Sequence, residues 1–180
     1  MTRHLTTAAI LSVIALTGCD DSGGSYACDV HEDCLDAEVC FSNRCRPAYS
    51  ESYRITLVSA SYLPVATPEG DFWDPTGEGI EPDPYLVMTD QDGNTCTSSA
   101  DRDSTSPRWD HACGDNIDLE EDTLFSWVVY DDDDEQHEEP QVMVESAEGD
   151  DFGISVEWIR AVTFAHASNG ATIYFRIDRR

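Results

Sequence analysis

"TLFSWVVY" (Thr123–Tyr130) runs straight into "DDDDEQHEEP" (Asp131–Pro140). The first half is a near-continuous apolar run, the pattern of a strand buried on both sides or in a sandwich core. The second half is charge: seven of the nine residues Asp131–Glu139 are acidic, with no lysine or arginine among them. A core strand ending in a dense carboxylate loop is the feature around which the rest of the chain is read.

The same texture recurs elsewhere in the chain. "YRITLVSASYL" from Tyr53 and "PYLVMTD" from Pro84 alternate as strands do, and "QDG" after the second is a turn signal. "NTCTSS", "RWDHAC", "QVMVES" and "ATIYFRID" are further short strand candidates, separated by Gly/Pro/Asp-rich connections. This spacing predicts an all-β sandwich over residues 53–178. "ISVEWIRAVT" is the exception: Val156, Ile159 and Val162 lie at helical spacing, so a short helix is the other reading there.

The chain has 180 residues and a formal net charge of -27, and all ten basic residues are arginine. Such a surface repels nucleic acid and anionic lipid at long range, which excludes a DNA- or RNA-binding role. The content of aromatic and β-branched residues excludes a merely acidic disordered tail.

Residues 1–18 read as an export signal. "LTTAAILSVIAL" (Leu5–Leu16) is apolar but shorter than the roughly 18 residues of a permanent span. It ends in "LTGC", which resembles the lipobox of bacterial lipoproteins. That resemblance implies cleavage before Cys19, lipidation of Cys19 (acyl chains such as palmitate) and an extracytoplasmic place on the cell envelope, on the inner or the outer membrane. Residues 19–27 are polar and Gly/Ser-rich, as a tether is.

Removing Cys19 from the seven cysteines leaves six: Cys28, Cys34, Cys40, Cys45, Cys96 and Cys113. An even number in an exported chain predicts disulfides. Residues 28–45 carry four of them with few apolar residues between, so this unit needs staples to fold. Three pairings are open, and zinc is a rival reading, although the usual C-x2-C pair is absent. Similar small cysteine-rich modules stand at the start of bacterial surface lipoproteins. Residues 46–52 read as a linker. Cys96 and Cys113 flank "SPRWD" on neighbouring predicted strands, where a cross-strand disulfide would contribute roughly 3 kcal/mol.

The acids supply the candidate chemistry. Asp131 and Asp133 follow the core strand at i and i+2, and Glu138 and Glu139 close the same loop. Asp83 ends another long loop, which contains Asp71 and Asp74. If the two loops meet at one end of the sandwich, hard oxygen ligands converge, as calcium requires: six to eight oxygens at about 2.3–2.6 Å. The bland alternative is a solvated acidic loop on an acidic surface.

Three motifs in order, "DPYLVM" (Asp83–Met88), "STSPRWD" (Ser104–Asp110) and "VVYDDDDEQHEE", resemble the signature of the C2 domain. That family is an eight-stranded antiparallel β-sandwich that binds calcium and phospholipid between loops at one end. The resemblance implies calcium ligands at Asp83, Asp131, Asp133 and Glu139. The first-loop ligand is ambiguous: Asp74 stands nine residues before Asp83 and Asp71 twelve, where the family has an aspartate about six before. It also implies a membrane or partner contact, for which Phe72 and Trp73 are candidates, unless Trp73 folds back on the sandwich. The acidic third-loop tip departs from the basic residue that calcium-dependent members often carry. No G-x-S-x-G, H-E-x-x-H or phosphate-binding glycine loop is present, so a binding role is expected rather than catalysis. The alternative to calcium binding is a calcium-independent interaction lipoprotein, with sandwich and module as scaffold.

Overall fold

The structure is a computed structural model describing residues 26–73, 81–132 and 140–180. Cys19, Asp74, Asp133 and Glu139 fall outside the described residues.

Two strands form the cysteine-rich unit: β1 (Glu38–Phe41) and β2 (Arg44–Pro47), an antiparallel hairpin. The sandwich follows with β3 (Ser52–Ser61), β4 (Pro84–Asp90), β5 (Thr95–Thr97), β6 (Arg108–Asp118), β7 (Leu124–Asp131), β8 (Gln141–Glu145), β9 (Phe152–Gly153), β10 (Thr163–Ser168) and β11 (Ala171–Arg179). One sheet has the order β10-β11-β3-β6. The other has β5-β4-β7-β8, with the two-residue β9 also paired to β7. Among the described residues, eight full strands and one short addition thus make the expected antiparallel sandwich.

Alternation dictates most of this. In β4 the burial is Pro84, Leu86 and Met88 inward, with Tyr85, Val87 and Thr89 between them half-buried. β7 behaves likewise: Phe125, Trp127 and Val129 are buried, while Ser126, Val128 and Tyr130 are only partly so. Its apolar run therefore belongs to a sandwich core strand and not to one covered on both faces. The outer face is itself apolar, with Tyr85 and Tyr130 stacked across the strands at 5.3 Å. Between the sheets, the rings of Trp158, Phe164 and Phe175 stack in succession at 4.4 and 4.8 Å, with Phe152 beside them.

β10 and β11 form a hairpin through Asn169 and Gly170, both at positive φ (48° and 87°). That is the backbone of a two-residue turn matched to strand twist, and an Asn-Gly pair adopts it at least cost. The short helix α1 (Val156–Ala161) is capped by Ser155, whose Oγ accepts from the Trp158 N–H at 3.3 Å. It ends at Val162, a β-branched residue held at φ 66°.

Three disulfides are present among the described residues: Cys28–Cys40, Cys34–Cys45 and Cys96–Cys113, with Cα separations of 5.8, 5.4 and 5.4 Å. The first two staple the module. The third ties the edge strand β5 of one sheet to the edge strand β6 of the other.

The module is docked on the sandwich. Val39 and Ala48 are buried in the same apolar cluster as Tyr53, Ile159 and Ile177. The Arg160 guanidinium of α1 donates to the carbonyls of Leu35 (2.7 Å), Asp36 (3.2 Å) and Glu38 (2.7 Å). The Arg179 guanidinium lies 4.4 Å over the Phe41 ring, and it pairs with Glu51 at 3.4 Å. Residues 46–52, expected as a linker, hold the end of β2 and a 3-10 turn over Ala48–Ser50. Tyr49 there donates to the Ile154 carbonyl at 3.0 Å, and the Tyr53 hydroxyl donates to the Ala48 carbonyl.

Strand register gives the sandwich two poles. Tyr53 pairs with Arg179, so the start of β3, the end of β11 and α1 lie at the module pole. Ser61, Asp83, Arg108 and Asp131 mark the opposite, loop pole, where Ala60 N–H donates to Pro107 O and Trp109 Nε1–H to Pro84 O.

Candidate metal centre

The site is built where β4 begins and β7 ends. Pro84 can start β4 because a first-strand residue needs no ladder donor. Its register partner is Asp131, the last residue of β7. Adjacent strand ends therefore bring the two predicted acids Asp83 and Asp131 together from positions far apart in sequence. The Asp83 N–H donates to Asp131 Oδ1 at 2.7 Å, and the Asp132 N–H returns to the Asp83 carbonyl at 3.1 Å.

Asp131 is fully buried at 0% exposure. A carboxylate in that position is costly unless its oxygens are engaged, and the Asp83 N–H supplies one such bond. Asp83 is half-buried, and its Oδ1 accepts from the Asp103 N–H at 2.7 Å. Both carboxylates are thus fixed by backbone donors rather than by chance rotamers. Close by, the Tyr85 phenol is pushed above its ordinary pKa, first by burial and then by Tyr130 and Asp132.

The loop between β5 and β6 completes the frame, a role that the sequence reading does not assign to it. Asp101 N–H donates to Pro84 O at 3.0 Å, and Ser104 N–H to Pro82 O at 2.8 Å. The Asp101 carboxylate accepts from Arg108 N–H at 2.9 Å. Its run of Ser, Asp and Pro ("SSADRDSTSP") is the available signal, since such residues satisfy and redirect turn backbones.

The other predicted contributors divide. Asp74, Asp133 and Glu139 lie outside the described residues. Phe72 is exposed (56%). Trp73 is not: it is 3% exposed, and its indole N–H donates to the Pro64 carbonyl at 3.0 Å. Trp73 is thereby corrected from contact residue to core residue, because one side chain buries a large ring and satisfies its only donor by folding back. Tyr62 (79% exposed) and Val65 (66%) share the first loop with Phe72 and are not singled out by the sequence.

The zinc reading of the module fails on the same ground that favours disulfides. Cys28, Cys34 and Cys45 sulfurs lie close together, but each is bonded to another cysteine and none is a thiolate ligand.

No protein-family model matches the chain, and no curated protein matches it. Solved structures do. Human GIVD cytosolic phospholipase A2 aligns with a TM-score of 0.50 at 15% identity, over 72% of this chain and 16% of that one. The fold is a C2-like sandwich. The first C2 domain of a plant extended synaptotagmin 1 aligns with a TM-score of 0.49 at 12% identity, over 75% of this chain and 96% of the other. A calcium-bound structure of the paired C2 domains of extended synaptotagmin 2 gives 0.48 at 12% identity, over 72% and 45%. The chain thus spans a small fraction of the phospholipase, and at these identities the likeness is one of fold.

Proposed function

We propose that this chain is a lipid-anchored envelope protein whose sandwich binds calcium at the loop pole and, through it, attaches to a membrane surface or partner. The observation that carries the reading is the convergence of Asp83 and Asp131, joined by a 2.7 Å hydrogen bond and each oriented by a backbone donor. The donor set fits the ion: carboxylate and carbonyl oxygens suit a hard divalent cation and offer no soft ligand. Asp133, Glu139 and Asp74, close in sequence to this frame, are the further ligands proposed. Bound calcium would supply positive charge to a pole whose own residues repel anionic headgroups. The exposed Tyr62, Val65 and Phe72 would supply the apolar contact. No catalytic role is assigned.

Calorimetric titration of the mature chain with calcium tests this, alongside Asp131→Asn and, because Asp131 is buried, the separate Asp133→Asn variant. Saturable calcium binding lost in Asp133→Asn is the expected result; no heat in the unmutated protein sinks the reading. The calcium-independent alternative has one observation in its favour, the half-buried Tyr85–Tyr130 stack on the outer sheet face. It predicts no rise in melting temperature with calcium, whereas a native-state ligand must raise it.

A further inference from the structure

The two poles of the sandwich bear on which surface the loops can meet. At the module pole, the chain enters through Tyr26 and Ala27, which are tied to β2: Cys45 N–H donates to the Tyr26 carbonyl at 2.9 Å, and Ala27 bridges Arg44. The module is held in turn to α1 by Arg160 and to β11 by Arg179. At the other pole stand Asp83, Asp131 and the exposed Tyr62, Val65 and Phe72. The distance between poles is about the length of β3, ten residues, or about 30 Å at strand rise. From Cys19 to Tyr26 the chain can reach no further than about 25 Å.

The geometry points to attachment in trans: the loop pole engages a second lipid surface, opposite the one that holds Cys19. This rests on the lipid anchor and calcium-dependent contact proposed above. A tether shorter than the sandwich cannot carry the loop tips back, tip first, to its own membrane, and the docked module removes the hinge that would otherwise let the domain fold over. The partner is a lipid surface because three exposed apolar side chains on one loop match an interfacial zone, and because a chain this acidic needs a cation between itself and anionic headgroups.

The test uses the chain beginning at Cys19. The other six cysteines are paired, so Cys19 is the single thiol for coupling to a maleimide lipid in donor vesicles. Donor and acceptor vesicles both contain phosphatidylcholine with phosphatidylserine, and light scattering follows their clustering when calcium is added. Expected is a several-fold, chelator-reversible rise in particle size, unchanged when phosphatidylserine is omitted from the donors. A Gly/Ser insertion of about 30 residues after Ser22, long enough as a coil to span the sandwich, is expected to reduce clustering when donors contain phosphatidylserine, by allowing contact in cis. The uncoupled chain is sedimented with phosphatidylserine vesicles in parallel. If it sediments with calcium but the coupled chain does not cluster acceptors, attachment in trans is overturned while the calcium reading stands; if clustering is undiminished by the insertion, tether length does not direct the loops away from their own membrane and the geometric ground for the proposal is overturned. If the uncoupled chain fails to sediment, the lipid-contact reading falls and this inference with it.

Discussion

Replacing Arg160 with alanine tests whether the module and sandwich behave as one body. The guanidinium of Arg160 makes four contacts to three carbonyls of the module: Nε to Glu38 at 3.1 Å, and Nη2 to Leu35, Asp36 and Glu38 at 2.7, 3.2 and 2.7 Å. A hydrogen bond to a charged group contributes about 1.5–3 kcal/mol. One nitrogen shares three acceptors here and the side chain is half-buried, so the bonds are far from additive. A total of about 2–3 kcal/mol follows, or a drop of about 5–10 °C in melting temperature for a chain of this size. Loss of the docking contact should also open residues 46–52 to protease, since Ala48 would leave its buried place. Arg160→Lys keeps the charge but not the planar fork, and should recover less than half of the loss. An Arg160→Ala protein that melts within about 1 °C of the parent, with 46–52 no more susceptible to cleavage, would mean that Arg160 does not hold the module on the sandwich.

Removing the inter-sheet disulfide by Cys96→Ser with Cys113→Ser should cost about 3 kcal/mol, read as a lower urea midpoint, because it frees the two edge strands in the unfolded chain. Val162→Gly relieves a β-branched residue held at φ 66° and should leave stability unchanged or raise it by up to about 1 kcal/mol, by thermal melting. The His166 pKa is lowered by burial, with Asp150 opposing, and its Nδ1 accepts from Trp127 Nε1–H at 2.9 Å. The neutral ring is thus the native one. The unfolded chain takes up the proton more readily, so this contribution is whole above the ordinary imidazole pKa of about 6.5 and is lost as pH falls below it. The difference in urea midpoint between the parent and His166→Gln should therefore shrink as pH is lowered from about 7.5 to about 5.5.

Particular elements show what is legible beforehand. Alternation in "PYLVMTD" and the break from "VVY" into aspartates locate β4, β7 and the half of the site at Asp131, because both depend on local pattern. β10 escapes such reading: "TFAHAS" buries Phe164 and Ser168, with the small Ala165 and Ala167 between them exposed, so its periodicity is faint. The Asn169-Gly170 pair beside it is the stronger signal. The pairing of Asp83 with Asp131 is a matter of register between distant strands, so from sequence it rests on resemblance and on the supposition that two loops meet. The fate of Trp73 turns on one carbonyl, Pro64, which no spacing rule foresees. Cysteine pairing is likewise open until the β1–β2 hairpin sets Cys40 opposite Cys45 and sends each to a different partner.

β3 and β11, the first and last strands of the sandwich, are neighbours along nearly their whole length. Until the final nine-residue strand is available, β3 has a bare edge and the apolar cluster lacks Ile173, Phe175 and Ile177. Closure is therefore a late, long-range event, and chains of such topology fold slowly. During that interval an unfinished sheet edge invites pairing with other chains. A uniform excess of carboxylates, nearly all of it present before β11 is reached, keeps incomplete molecules apart while they wait. Charge that looks excessive for a finished sandwich thus has a use in the time before it is finished.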